Sequence, residues 1–290
     1  MTSPIRSIVA ASDFSFSAYR AARRAGTLAG AHGAALQLLH VIDNSPAKAL
    51  LRSSTLLDAQ RLRLAGESGL ASLAHDVRTR GGIVVEQSLR EGRVIDQMLA
   101  AAASSDLLVL GPRGLNPLRD FIIGSTAERM ARMIERPMLV VKQDPHIPYE
   151  HVLVPVDFSA YSASALRFAA DLAPSATLHA LHAFDCPLEA SLRRAGVTAE
   201  AVAAYREELL REAHAHMDEL TAGLHGRPVL GEVRSGDARV LINEQATARR
   251  CALIVMGKQG RSWLSEHVLG SVTRVVLERA ACDVVVVPSR

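Results

Sequence analysis

Two tandem doubly wound α/β domains are expected over residues 1–146 and 147–290. The chain has 290 residues, room for two cores of ordinary domain size. The first half is echoed by the second, segment by segment and in the same order. Within each half, short continuous apolar runs alternate with longer stretches of helical period, as in a parallel sheet covered by helices on both faces.

The repeat opens with Ser7-Ile8-Val9-Ala10-Ala11-Ser12-Asp13-Phe14-Ser15, which returns 144 residues later as His151-Val152-Leu153-Val154-Pro155-Val156-Asp157-Phe158-Ser159. Each copy reads as strand, acid and turn. The second strand, Leu36-Gln37-Leu38-Leu39-His40-Val41, is matched by Leu178-His179-Ala180-Leu181-His182-Ala183. A long helix is expected over 197–220, where Val202, Tyr205, Leu209, Ala213, Met217 and Leu220 recur at steps of three or four and Glu207 can pair with Arg211 on the outer face. Its counterpart, over about 54–79, turns Leu57, Leu64, Leu70, Leu73 and Val77 toward the sheet, with Gly66 and Gly69 weakening it. Asp106-Leu107-Leu108-Val109-Leu110-Gly111 is matched by Ala252-Leu253-Ile254-Val255-Met256-Gly257, and each half closes on an apolar strand, Met138–Val141 or Val284–Val287. The tally is about five parallel strands and four helices per half, joined by right-handed crossovers. Lys142–Tyr149, with two prolines and no periodicity, reads as the linker.

Composition narrows the function classes. Hydrophobic residues make up 49% of the chain and charged residues 22%, a balance that argues for packed domains and against disorder. The apolar runs are far shorter than the roughly 20 residues of a membrane span. The first residues lack the features of a secretory signal, so a cytoplasmic location and no membrane partner are expected. Cys186, Cys251 and Cys282 form no CxxC pair and are expected to be reduced, packed thiols. The net charge of +3 is spread along the chain rather than clustered, and nucleic acid is not an expected partner.

Ligands of open α/β sheets bind at the carboxyl ends of the strands. There the chain places Gly111-Pro112-Arg113-Gly114, nine residues, then Gly124-Ser125-Thr126 opening a helix; the second half repeats this with Gly257-Lys258-Gln259-Gly260, nine residues, and Gly270-Ser271-Val272. Glycines let backbone approach phosphate oxygens, and the free N–H groups of a helix start point at negative charge. Each residue has a plainer reading: Gly111 and Gly257 as tight turns, Ser125 and Ser271 as ordinary helix caps. The duplicated spacing favours the anion site.

These loops resemble the universal stress protein family, in particular the members that bind ATP through Gly-x2-Gly-x9-Gly followed by Ser or Thr. The resemblance covers nearly the whole chain. It implies a Rossmann-like fold of the adenine-nucleotide α-hydrolase type, with Asp13 and Asp157 near ribose or adenine and the backbone of Val41 and Ala183 facing adenine. It also implies that Gly111, Gly114, Gly124, Gly257, Gly260 and Gly270 hold the triphosphate. Ser125 and Ser271 would meet phosphate oxygens, with Thr126 and Val272 next in the helix and Arg113, or Lys258 with Gln259, nearby; Mg2+ commonly accompanies such a nucleotide. Pro117 and Trp263 in the spacers depart from the family's pattern, as does Ala10-Ala11-Ser12 before the first acid, which makes the second half the better match. Trp263 is read as packing, with a place beside the nucleotide as the alternative. Family domains pair through their last strand, which implies a pseudo-twofold arrangement of the two halves and leaves further homodimerisation open.

Neither a Gly-x4-Gly-Lys-Ser/Thr loop nor a Gly-x-Gly-x2-Gly after the first strand is present, so kinase and dehydrogenase readings fall. Phosphoryl acceptance at Asp13 or Asp157, as in a receiver domain, would not call for the paired glycine loops. His40 and His182 recur at the second strand's end, where satisfying backbone groups is the commoner role than that of general base, and no nucleophile, base and orienting acid recur together. The expected function is an ATP-binding, non-enzymatic stress-response regulator. The alternatives are an interaction scaffold with vestigial sites, or slow ATP hydrolysis.

Overall fold

The computed structural model describes residues 5–44, 59–114, 123–186, 188–224, 227, 229–260 and 268–288. Leu57, Pro117 and Trp263 lie outside them. The first half runs β1 (Ser7–Ala11), α1 (Phe16–His32), β2 (Ala35–Asp43), α2 (Ala59–Gly81), β3 (Val85–Gly92), α3 (Val94–Ala103), β4 (Leu107–Leu110), α4 (Ser125–Met133) and β5 (Met138–Val140). The second runs β6 (His151–Pro155), α5 (Ala160–Leu172), β7 (Thr177–Phe184), α6 (Glu189–Arg194), α7 (Ala199–Ala222), β8 (Val229–Ser235), α8 (Ala238–Ala248), β9 (Leu253–Gly257), α9 (Ser271–Arg279) and β10 (Asp283–Val287). The short helix α6 has no counterpart among the described residues of the first half.

The described strands form one sheet in the order β3-β2-β1-β4-β5-β10-β9-β6-β7-β8. All pairs are parallel except β5 with β10, where Leu139 stands opposite Val285. The order is the same read outward from this junction in either direction, so the halves are related by an approximate twofold axis, as expected.

Burial follows the period of each element. Along β1 and β4, Ile8, Ala10, Leu107 and Val109 join one core layer while Val9, Leu108 and Leu110 join the other. Helices α1, α2, α5 and α7 cover the first layer, and α3, α4, α8 and α9 the second. The outermost strands β3 and β8 carry Glu86, Arg90, Glu91, Glu232 and Arg234, charges that discourage further strand addition.

The helix expectations need three corrections. Leu64 is exposed, so the buried face of α2 is set by Leu70, Leu73 and Val77. Arg211 pairs with Glu208 rather than Glu207, three residues away instead of four. Gly69 does not interrupt α2: a β-carbon there would stand 2.7 Å from the Phe14 ring, so its absence is what lets that ring pack.

The linker is fastened down. Asp283 is fully buried and accepts hydrogen bonds from Lys142 N at 2.7 Å, Gln143 N at 2.8 Å and the Tyr149 hydroxyl at 2.6 Å. Arg24 of α1 lies with its Nε 3.3 Å from the same carboxylate, its guanidinium over the Tyr149 ring and its terminal nitrogens donating to Asp144 O and Ile147 O. Removing one partner of such a buried pair leaves the other charge without compensation, so Asp283→Ala should cost about 3–5 kcal/mol in urea unfolding. Cys251 and Cys282 are free and buried, and burial pushes their thiols up to about 11 and about 12. Their contribution to stability is complete below the unfolded-state value of 9 and is lost as pH rises toward those folded values. A Cys251→Ala/Cys282→Ala variant should therefore lose less stability than the unsubstituted chain between pH 9 and 11, as read by urea midpoints.

Candidate functional site

Sheet order reverses between β1 and β4, and again between β6 and β9. The helices that follow these neighbouring strands leave for opposite faces, α1 and α5 for one and α4 and α9 for the other, which opens a crevice at the carboxyl ends. Each crevice collects residues from four stretches of chain: Asp13, Val41, Gly111–Gly114 and Gly124-Ser125-Thr126 in the first half; Asp157, Ala183, Gly257–Gly260 and Gly270-Ser271-Val272 in the second.

The acid is part of a strained turn. Asp13 Oδ1 accepts from Ser15 N at 3.0 Å, and Asp157 Oδ1 from Ser159 N at 3.1 Å. Between them Phe14 and Phe158 take φ values of 63° and 62°, a left-handed conformation that costs a side-chain-bearing residue about 1–2 kcal/mol. Packing offsets the strain: the Phe14 ring lies 4.3 Å from that of His40, and Phe158 lies 4.4 Å from His182. Each histidine places Nδ1 2.8 Å from a backbone carbonyl, Ser12 O or Val156 O, the structural role rather than that of a base. The turn delivers the chain straight into α1 or α5, capped by Ser15 or Ser159.

The loop glycines are close approaches. A β-carbon on Gly114 would stand 2.4 Å from Asp13 Oδ2, and one on Gly260 2.7 Å from Asp157 Oδ2, so each carboxylate rests on its own loop. On Gly111 or Gly257 it would meet Ser17 backbone at 2.9 Å or Tyr161 Cβ at 2.8 Å, at the start of α1 or α5. Gly124 N donates to Pro112 O at 2.7 Å and Gly270 N to Lys258 O at 3.0 Å, drawing each helix start onto its loop.

Gly124 and Gly270 are themselves the cap residues of α4 and α9, with no side-chain cap hydrogen bond. Ser125 and Ser271 stand at the first helical position and are exposed, which sets aside their reading as ordinary caps. Thr126 is also exposed, whereas Val272 packs partly into the core. Val41 and Ala183 are half-buried near the ends of β2 and β7, paired in register with Arg90 and Arg234.

Two side chains of the second loop are engaged with other protein groups. The Lys258 side chain is buried and donates from Nζ to Ile134 O at 3.1 Å, in the other half. Gln259 is a brace, accepting from the Tyr161 hydroxyl at 2.9 Å and donating to Val268 O at 2.6 Å. Arg113 is half-buried, with its charge close enough to Lys142 to disfavour that ammonium. Sequence reasoning missed Thr273, whose hydroxyl donates to Gly257 O at 3.0 Å; Ala127 at the equivalent place in the first half gives no signal for it.

A profile of the universal stress protein family matches residues 4–142 and again 148–288. The chain belongs to the universal stress protein family. A universal stress protein of Mycolicibacterium smegmatis is 26% identical over 93% of this chain and 92% of its own length. One from Methanocaldococcus jannaschii is 28% identical over 48% of this chain and 82% of its own length. The crystal structure of a universal stress protein from Archaeoglobus fulgidus superposes with a TM-score of 0.72 at 18% identity, covering 98% of both chains, which shows the shared fold.

In this universal stress protein a glycine should tolerate a methyl group according to what it meets. Gly257→Ala drives a β-carbon into the first turn of α5 and should cost about 1–3 kcal/mol. Gly223→Ala, whose nearest atom would be 3.5 Å away, should be neutral or gain up to about 1 kcal/mol. Urea midpoints of the two variants check the contrast.

Proposed function

We propose that the chain binds ATP, accompanied by Mg2+, in both halves, and that occupancy rather than turnover is its output as a regulator in the stress response. The observation that carries this reading is a conjunction present twice: a carboxylate resting on a loop glycine, beside a helix start that no side chain caps. Glycine backbone and an uncapped helix N-terminus attract phosphate. The neighbouring carboxylate repels phosphate and accepts from hydroxyl groups instead. A ligand with a polyanionic end and a neutral hydroxylated end matches both demands, and a nucleoside triphosphate is such a molecule.

Among the described residues no group of three or more His, Cys, Asp and Glu is arranged to hold a metal ion. The Mg2+ in this reading is carried mainly by phosphate oxygens. Binding without dedicated turnover is supported by His40 and His182, whose Nδ1 atoms are engaged with backbone carbonyls.

Titration calorimetry of ATP with Mg2+ tests this on the intact chain and on Ser125→Asp and Ser271→Asp. Both positions are exposed, and an acid in a first helical turn favours the helix by about 0.3–1 kcal/mol, so lost binding would not mean lost folding. The expected stoichiometry is two for the intact chain and one for each variant. A stoichiometry of zero for the intact chain would overturn the reading, and a value of one unaffected by Ser125→Asp would confine it to the second half.

A further inference from the structure

The helices whose N-termini face the two crevices, α4 and α9, are each held at the opposite end by a lysine of the other half. Lys258, inside the second glycine loop, sends its ammonium to Ile134 O, the carbonyl of the residue that ends α4. Lys142, just after β5 of the first half, sends its ammonium to Leu277 O at 2.6 Å and Ala280 O at 2.8 Å, at the end of α9. The last carbonyls of a helix have no partner within it and carry the negative end of its dipole, so a buried ammonium there both satisfies and orients them. Each helix has nine residues, roughly 13 Å of rigid rod between the lysine at one end and the crevice at the other.

Each lysine is also linked to its own half's loop, one by a hydrogen bond and one by charge. Lys258 O accepts the Gly270 N–H that closes the second loop, so one residue closes the second loop through its backbone and holds the far end of the first half's phosphate-facing helix through its side chain. Lys142 feels the positive charge of Arg113 in the first loop while capping the helix of the second. Burial draws the Lys142 ammonium down to about 8, which leaves it mostly charged at neutral pH.

We propose that Lys142 and Lys258 are positioning residues that couple the two nucleotide sites, each setting the phosphate-facing helix of the opposite half. This rests on the nucleotide reading above. A displacement of the second loop on ligand binding moves Lys258 and with it α4, and by linkage the first site acts back on the second to the same extent.

The test isolates one site at a time. With the second site closed by Ser271→Asp, adding Lys258→Met should weaken ATP binding at the first site by roughly fivefold or more, and Lys258→Arg in its place should restore most of it. With the first site closed by Ser125→Asp, Lys142→Met should do the same to the second. In the chain without lysine substitutions, the first-site affinity should differ between the intact protein, where the second site fills, and Ser271→Asp, where it does not. Lysine variants that lower the urea midpoint but leave each site's affinity unchanged would show a merely structural role and overturn the coupling, as would intact-chain isotherms that are the sum of the two single-site isotherms. Absence of ATP binding by the intact chain would instead defeat the nucleotide reading, and the coupling would fall with it.

Discussion

The antiparallel pairing of β5 with β10 is the constraint from which the remaining arrangement follows. In either half alone, an apolar last strand would end the sheet with its hydrogen-bonding edge open to water; Met138, Leu139, Val140 and the valines of β10 are instead wholly buried. Because the pairing is antiparallel, every strand of one half runs opposite to every strand of the other. The carboxyl ends of one set therefore lie beside the ends of the helices that lead into the last strand of the other. A loop at a carboxyl end thus meets helix carbonyls across the junction, and a lysine is the side chain suited to that place, since it brings donors and positive charge to the negative end of a helix dipole. Lys142 and Lys258 occupy those two places.

The junction also needs a fixed register, and the four valines of β10, buried on both faces, cannot set it, because a slip of one residue would exchange one valine for another. Asp283 supplies it. Standing at the first position of β10, it takes the backbone N–H groups of Lys142 and Gln143, which follow β5, onto one carboxylate oxygen. Its other oxygen receives Tyr149, near the entrance to β6. Arg24, rooted in α1, balances the charge and ties the linker carbonyls to the first half. Three points of the chain converge on one buried carboxylate, and the proline-bearing segment between the halves is a clamp rather than a tether.

The sequence made most of this architecture legible because most of it is periodic. The continuous apolar runs of β1 and β4, the stripe on α7 and the doubled Asp-Phe-Ser and glycine loops are local patterns, and local patterns survive in one dimension. The destinations of Lys258 and Gln259 do not, since a motif places a residue on a loop but says nothing of where a long side chain goes. The Arg24–Asp283 pair left a faint trace, an acid immediately before four valines and an arginine among buried alanines. For a related reason Gly69 reads as a weak point of α2: helix propensity counts its intrinsic cost, whereas the Phe14 ring that fills its space comes from a turn more than fifty residues earlier.

Comparison of the two loops separates what the crevice demands from what the junction demands. The acid, the three glycines and the serine recur at equivalent positions, and they set the backbone path and the helix start. Between the first two glycines, Pro112-Arg113 gives way to Lys258-Gln259, and the neighbours change in concert: Ser17 is replaced by Tyr161, the partner of Gln259, and Ala127 by Thr273, which holds the Gly257 carbonyl. The second loop is braced by side chains from the start of α5 and from α9 and is anchored across the junction, and the first carries a proline where the second has that anchoring lysine. A ligand that orders a loop gives up binding free energy to do so, and a braced loop requires less of that ordering. The two crevices therefore share a backbone plan and differ in the side chains that hold it, and the braced second loop also holds the lysine that reaches across the junction to the end of α4.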